Sequence, residues 1–179
     1  MKSHLKSDVQ PHLDLACARL ETRTFIWKIE HFSEVLRQAK TGEKDKIESI
    51  PFYTDRTESY GYKLRVWIYP NGDRVHVNTH LSVYIIVMEG DYDAILPWPF
   101  TKRVIFTLID QQEDQVEREN VTLHLIAGNC PESFGRPRRN NNTGGRGFPE
   151  FVSHDKLHSR RYIVDDTLFL QVEIGPSSS

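Results

Sequence analysis

Two short stretches of the sequence contain residue types that perform catalysis in enzymes. Ser153, His154 and Asp155 are the three residue types of a hydrolase triad, but they are consecutive, and triad side chains must converge from different directions. Asp165 and Asp166 are adjacent, whereas paired catalytic carboxylates face each other across a cleft. We interpret the acidic pair as a turn before the last strand, held by local hydrogen bonds. The sequence therefore predicts a domain without a catalytic centre.

Eight histidines raise the question of a metal site. His76 and His80 lie four positions apart, but they flank a predicted loop-to-strand junction and not a helix. Zinc sites gather cysteine, histidine or carboxylate ligands at short spacings, and the sequence places no such ligands beside this pair. The glycine motifs that bind phosphates in nucleotide-binding proteins do not occur either. We therefore expect no metal and no other cofactor.

The charge balance does not require a nucleic acid as partner. The chain has 23 basic and 25 acidic residues, a net charge of −2, whereas nucleic-acid binding usually needs a concentrated positive field. Residues 144–147 hold one copy of an arginine–glycine sequence of the kind found in RNA-binding tails. A single copy is better explained as a flexible loop with one usable charge.

The same composition indicates a cytoplasmic protein. No apolar stretch is long enough to span a bilayer, and the first residues lack the apolar segment of a secretory signal. Cys17 and Cys130 have different flanks, so two free thiols in a reducing compartment are a better interpretation than a disulfide. We therefore expect no direct membrane insertion.

Short strands make up most of the chain. A length of 179 residues with 38% hydrophobic residues predicts one domain with room for short appendages. Runs rich in Ile, Val, Tyr, Phe and Trp are separated by turn signals, of which Pro70-Asn71-Gly72-Asp73 is the clearest. The predicted strands are 24–29, 62–69, 81–88, 103–109, 121–125 and 167–174. This punctuation favours an antiparallel sandwich or barrel over alternating βαβ units.

One short helix and two surface loops complete this pattern. A helix is predicted at 32–38, with Ser33 as its cap. Residues 40–47 are charged, and residues 135–147 are basic, polar and rich in glycine. Neither composition can build a core, so both segments are predicted to lie on the surface.

The first 21 residues have a different pattern. Val9, Leu13, Ala16 and Leu20 follow spacings of four, three and four, which is the seam of a coiled coil, although Pro11 interrupts it. A helix this short is marginal alone in water, so it would need a neighbouring chain to pack against. The spacing leaves open whether this segment is such a stalk or a frayed leader.

Seven motifs, in order, resemble the C-terminal domain of the tumour-necrosis-factor-receptor-associated factors, the TRAF family. They lie at residues 20–29, 52–64, 71–84, 96–111, 133–137, 147–151 and 162–169. The resemblance covers residues 14–174 and keeps the family's order. Within these motifs Trp27, Phe52, Trp98, Phe100 and Phe134 are expected to be core residues.

The resemblance implies an all-β fold: an eight-stranded antiparallel β-sandwich of the MATH class with a short N-terminal coiled-coil helix. It divides the chain into the end of a stalk at 1–21, the sandwich at 22–175 and a disordered tail at 176–179. It also implies a homotrimer whose stalk packs through Leu13, Ala16 and Leu20. The expected partners are extended peptides from receptor cytoplasmic tails or adaptor proteins, which add to an exposed edge strand.

The resemblance also implies positions for peptide binding. Tyr69 and Tyr84 match aromatic positions that face the peptide, and Asp73 matches an acidic position in the loop between them. Gly147 and Phe148 match the strand that pairs with the peptide backbone.

Four positions depart from the family pattern. Trp67 stands where many members have an arginine, and only Ser133 remains of three serines, because Pro131 and Glu132 replace the others. Arg146 stands where relatives have serine or phenylalanine. We hypothesise that Arg146 recognises an acidic ligand residue, since its planar fork fits a carboxylate. The alternative is that Arg146 only solvates a loop.

Two other classes of protein are considered. A MATH-type substrate-recognition domain of a ubiquitin-ligase adaptor or deubiquitinase would share the sandwich but would be monomeric. An enzyme is the other class, but the chain has no zinc-binding array, so any ubiquitin-ligase activity of a RING domain would lie outside these residues.

Overall fold

A computed structural model describes residues 22–55, 60–138 and 144–177. In these ranges the chain forms two antiparallel sheets around one core. The strands are β1 (Arg23–Ile29), β2 (Ile47–Glu48), β3 (Phe52–Tyr53), β4 (Lys63–Tyr69), β5 (His80–Met88), β6 (Lys102–Leu108), β7 (Val121–Ile126), β8 (Arg146–Ser153) and β9 (Leu168–Ser177). The helices are α1 (Phe32–Thr41) and α2 (His154–Ser159).

The two sheets confirm the predicted antiparallel β-sandwich. The first sheet has the order β1-β9-β6-β7, and the second has the order β2-β4-β5-β8, with β3 also paired to β4. The two-residue strands β2 and β3 lie along the same side of β4, so together they occupy one of eight strand positions. The predicted stalk with Leu13, Ala16 and Leu20 lies outside the described residues.

Alternating burial along the strands explains why they pack as two layers. In β4, Leu64, Val66 and Ile68 are buried while the residues between them are half-buried. The strands β6 and β9 supply buried residues to the same core, and Phe106 of β6 meets the aromatic rings of β8 edge to face. Each buried aliphatic side chain of this kind stabilises the fold by about 1.5–3 kcal/mol.

Most of the expected core aromatic residues are in the core. Phe52, Phe100 and Phe134 are buried, whereas Trp27 and Trp98 are partly buried and pack against the core from its margin.

The strand β1 pairs with β9 along its whole length. Arg23 lies opposite Ile174 at one end of the pair, and Ile29 lies opposite Leu168 at the other. The first and last described segments therefore leave the sandwich at the same end. The strand β9 runs to Ser177.

The predicted cap of α1 is wrong. His31 occupies the cap position in the left-handed region at φ 55°, and Ser33 lies inside the first turn. The Ser33 amide and hydroxyl both donate to the Asp166 carboxylate, at 2.8 and 2.7 Å. The unsatisfied amides of the first turn are thus partly paired with an acid that is distant in sequence, which also complements the helix dipole.

Asp165 and Asp166 form the predicted turn before β9. Val164 and Thr167 exchange backbone hydrogen bonds across it, and the two aspartates have φ of 51° and 57°. Positive φ at both central residues is typical of a tight hairpin turn, and aspartate tolerates it better than most residues.

The stretch from Ser153 to Asp155 begins a helix that the sequence pattern did not predict. The Ser153 hydroxyl accepts a hydrogen bond from the Lys156 amide at 3.1 Å, which caps α2. His154 Nε2 lies 2.9 Å from the Pro70 carbonyl oxygen, on the loop after β4. These side chains therefore fix α2 to a neighbouring loop.

Two predicted loops have different bounds in the structure. The loop predicted at 135–147 ends earlier, because β8 begins at Arg146. The turn signal at residues 70–73 begins a longer connection that reaches Thr79 and contains a short turn of 3₁₀ helix at Arg74–His76. Gly72 has φ 85°, and a Cβ there would overlap the His76 carbonyl, so this loop requires glycine.

Asp110 lies at the centre of a buried polar network after β6. Its side chain is fully buried and accepts hydrogen bonds from Arg160 Nε at 2.9 Å and from the Glu119 amide at 3.0 Å. The Asp110 amide donates to the Asn120 side chain at 2.8 Å. The network therefore joins the β6–β7 loop to the chain that follows α2.

Candidate peptide-binding site

The strand β8 is the free edge of the second sheet. It pairs with β5 on one side, and in the described residues no strand pairs with its other side. An edge strand presents a row of unpaired N–H and C=O groups that a further extended chain can join. Pro149 has no N–H, so this residue adds no donor to the edge.

Strand register places the expected site residues on two sides of this edge. Gly147 lies opposite Tyr84, and Tyr84 lies opposite Trp67, so all three belong to the outer face of the sheet. Arg146 lies opposite Ile85, a fully buried residue, and therefore projects to the opposite side of β8.

Tyr69, Asp73 and Tyr84 form an outer cluster beside β8. The Tyr84 hydroxyl donates to Asp73 Oδ2 at 3.0 Å, and the Tyr69 and Tyr84 rings meet edge to face with centroids 5.7 Å apart. The Asp73 amide donates to the Ser82 hydroxyl at 3.1 Å, and Ser82 donates to the Pro149 carbonyl at 2.6 Å. This chain of hydrogen bonds fixes the loop after β4 to the edge strand.

The hydroxyls of both tyrosines in the outer cluster are protonated at neutral pH. Burial raises the pKa of Tyr84, and the hydrogen bond and charge of Asp73 raise it further. Burial also raises the pKa of Tyr69, with Asp73 and Asp45 adding to the rise. In the described part of the chain the Tyr69 hydroxyl makes no hydrogen bond, so it is available to a ligand.

Two depressions flank Tyr69. The larger, of about 550 Å³, is lined by Lys44, Asp45, Lys46, Glu48 and Tyr69. The smaller, of about 160 Å³, is lined by Ala39, Asp45, Tyr69, Asn71, Gly72, Asp73, Arg74 and Val77. Both depressions are lined by Tyr69 and Asp45, so the Tyr69 side chain can contact a ligand in either of them.

Glu132, Ser133 and Arg146 form a second group, the rim cluster, on the other side of β8. Arg146 Nε donates to the Ser133 hydroxyl at 2.7 Å, and one Nη of Arg146 lies 3.4 Å from Glu132 Oε1. Glu132 and Ser133 come from the turn Pro131–Ser133, which the fold brings to the start of β8. The free edge is therefore flanked by an aromatic and acidic cluster and by a charged rim.

The family model described as "TRAF/meprin, MATH domain" matches residues 44–171, well over half of the chain. The chain belongs to this family. The described residues that make up the free edge and both clusters all fall within the matched range of the MATH domain.

Individual relatives are TRAF proteins. The chain is 37% identical to human TNF receptor-associated factor 1 over 161 residues, which is 87% of this chain and 36% of that protein. It is 39% identical to mouse TNF receptor-associated factor 5 over 151 residues, which is 83% of this chain and 26% of that protein. The chain thus spans about a third or less of the length of these curated relatives.

A solved structure has the same fold. TRAF5 of Notothenia coriiceps matches with a TM-score of 0.78 and 30% identity, covering 96% of this chain and 82% of that chain. No helix in the described residues is long and apolar enough to cross a membrane.

Trp67 of this MATH domain lies on the outer face but is covered. Lys46 Nζ sits 3.3 Å from the centre of its ring, a cation–π contact, and the buried indole N–H has no hydrogen-bond partner in the described residues. Short-range sequence patterns do not predict this contact, because the two residues come from segments that pair only in the folded sheet.

Phe148 and Gly147 hold the edge strand in place. The Phe148 ring packs edge to face on Phe106, with centroids 6.0 Å apart, which fixes β8 to the first sheet. A Cβ built on Gly147 would overlap the Val83 carbonyl oxygen and lie 2.8 Å from Tyr84 Cα. The strand β8 can therefore approach β5 only with glycine at this position.

The histidines near the MATH edge strand have structural contacts. His76 Nδ1 lies 3.2 Å from a Glu150 carboxylate oxygen, and the His76 and His80 rings are 5.6 Å apart. In residues 22–55, 60–138 and 144–177, no three His, Cys, Asp or Glu side chains are grouped to hold a metal ion.

Proposed function

We propose that this MATH domain is the receptor-binding domain of a cytoplasmic, non-enzymatic signalling adaptor. It binds short extended peptides from receptor tails or adaptor proteins by adding them as a strand to the free edge of β8. The observation that carries the proposal is this unpaired edge, flanked by the outer cluster and the rim cluster. Backbone hydrogen bonds provide affinity in such binding, and pockets for alternate side chains provide selectivity.

The two clusters match the geometry of an added strand. Successive side chains of an extended peptide point to opposite faces, so one set reaches Tyr69, Asp73 and Tyr84 while the other reaches the rim cluster. Gly147 lies opposite Tyr84 and adds no side chain to this part of the edge.

The proposed assembly is a homotrimer held by a stalk through Leu13, Ala16 and Leu20. A single extended peptide loses much conformational entropy on binding, so each site alone is weak. Three linked sites would raise the overall affinity for clustered receptors by about 10²–10⁴. Light scattering tests the assembly, and a monomer would favour the alternative class of ubiquitin-ligase adaptors or deubiquitinases.

Replacing Tyr69 by alanine tests the binding edge. The test is a calorimetric titration with a panel of Pro-x-Gln-x-x-Asp and Pro-x-Glu-x-x-aromatic peptides. We expect Tyr69→Ala to lower the affinity for the peptide that binds best by at least about tenfold. Tyr69 is half-buried and outside the core, so the unfolding transition should change little. Tyr60→Ala removes a tyrosine whose ring packs on Tyr92, away from the edge, and is the matched control.

Equal binding by Tyr69→Ala and the unmodified domain would contradict the proposed site. If no peptide of the panel binds, edge addition of linear peptides is wrong, and folded partners become the ligands to test.

Reversing the charge of Arg146 tests its proposed role in recognising an acidic ligand residue. We expect Arg146→Glu to lower the affinity for acidic peptides by about tenfold or more, because a bidentate charge pair is replaced by repulsion. The affinity for the corresponding neutral peptides should fall less. Arg103→Glu makes the same charge change at an exposed position of β6 and serves as control. An unaltered affinity for acidic peptides would show that Arg146 only solvates its loop.

A further inference from the structure

The Arg146 side chain already has an anion beside it in the same chain. One Nη lies 3.4 Å from Glu132 Oε1, while Nε is held by Ser133 at 2.7 Å. In the described residues the second Nη makes no hydrogen bond. Arg146 therefore offers a ligand one edge of its guanidinium group, next to the Glu132 carboxylate.

The contact between Glu132 and Arg146 is a loose one. Its distance is long for a charged hydrogen bond, and the two side chains are 68% and 48% exposed. Exposed ion pairs of this kind contribute little to stability, so either side chain can exchange its partner for a ligand at small cost.

A ligand carboxylate at the rim meets two opposing charges. Arg146 attracts it through the free edge of the guanidinium group, while Glu132 repels it from the neighbouring position. A ligand amide avoids this conflict, because its oxygen accepts from Arg146 and its NH₂ group donates to Glu132. The same pair of residues therefore acts differently on glutamate and glutamine side chains.

We propose that Glu132 is a specificity-determining residue that offsets the attraction of Arg146 for a carboxylate, so that the rim accepts glutamine about as well as glutamate. This inference rests on the proposed function, since it concerns a ligand strand on β8. In this role the Glu132 carboxylate competes with a ligand carboxylate for Arg146. A neutral residue at this position could not do so.

The test uses pairs of peptides that differ only by glutamate or glutamine at one position. Affinities are measured for the unmodified domain, Glu132→Gln, Arg146→Gln and the double variant. The position that reaches the rim is the one whose glutamate-to-glutamine affinity ratio responds to Arg146→Gln. At that position we expect Glu132→Gln to raise the ratio about three- to tenfold, as removal of one nearby like charge predicts.

Two controls make this result specific to the rim. The increase should be smaller in the double variant, because Arg146 no longer holds the ligand carboxylate next to Glu132. Glu150→Gln removes another exposed carboxylate from β8, one paired with His76, and should leave the ratio unchanged. A salt titration should reduce the effect, because the pair is exposed.

The outcomes separate this inference from the proposed function. If peptides bind but Glu132→Gln leaves the ratio unchanged, or changes it equally in the Arg146→Gln background, the role of Glu132 is wrong and edge binding stands. If no peptide position responds to Arg146→Gln, the whole rim cluster is overturned as a ligand contact. If no peptide binds at all, the proposed function and this inference fail together.

Discussion

We expect Asp110→Ala to lower the free energy of unfolding by about 2–4 kcal/mol, the cost of two charge-assisted hydrogen bonds with allowance for a partly exposed partner. The substitution leaves the Glu119 amide and the Arg160 guanidinium without their shared acceptor. Arg160 is 26% exposed and can turn to water, which keeps the loss below that of a fully buried ion pair.

Urea unfolding measures this loss. Asp91→Ala removes an exposed aspartate and is the matched control, expected to change stability by less than about 0.5 kcal/mol. A loss below about 1 kcal/mol for Asp110→Ala would mean that the network is replaceable by water.

The same carboxylate gives stability a defined pH dependence. Burial alone would raise the pKa of Asp110, but the Glu119 amide and Arg160 outweigh it, so the pKa lies below its ordinary value. The stabilisation is therefore complete above the unfolded-state pKa of about 3.9 and is lost as pH falls through the lower folded-state pKa. The difference between the unmodified domain and Asp110→Ala should be constant at neutral pH and shrink at acidic pH below that value. A difference that persists unchanged into strong acid would refute the assignment.

Gly147→Ala should impair both folding and ligand binding. Its methyl group meets the backbone of Val83 and Tyr84, which cannot rotate away as a flexible side chain would. Moving β8 outward to make room costs about 1–3 kcal/mol, as for overpacking elsewhere. The displaced edge no longer lies correctly between the outer cluster and the rim cluster, so peptide affinity should also fall about tenfold or more.

Gly135→Ala provides the control for the glycine change itself. A Cβ on Gly135 meets no described atom within 4 Å, so this variant should fold and bind like the unmodified domain. Unfolding and titration curves for Gly147→Ala that match those of Gly135→Ala would show that β5 and β8 separate without cost.

The alternation of apolar and polar residues along the sequence predicted the strands that have one buried face and one more exposed face. The strands β4 and β9 alternate buried and half-buried residues over most of their length, and their positions follow closely from the period of two. The strand β8 was not predicted by this pattern, because Gly147 and Pro149 resemble loop residues. Its strand conformation depends on pairing with β5 and on the Phe148 anchor, which are tertiary contacts.

Some residues of the candidate site could likewise be predicted from the sequence, and others could not. The resemblance placed Tyr69, Asp73 and Tyr84 at binding positions, and the fold brings them together through one hydrogen bond and one ring contact. The neighbours that set the local charge were not predicted. Glu132 beside Arg146 and Lys46 above Trp67 depend on the paths of loops, which short-range sequence patterns do not specify.

The end-to-end pairing of β1 with β9 determines how the domain responds to mechanical force. Because residues 23 and 174 are neighbours, tension applied between them separates the hydrogen bonds of this pair one after another, as in a zipper. Tension between β1 and a ligand on β8 instead passes through both sheets and their shared core. The domain should therefore resist a pull on a ligand strand at β8 better than a pull on its own two ends.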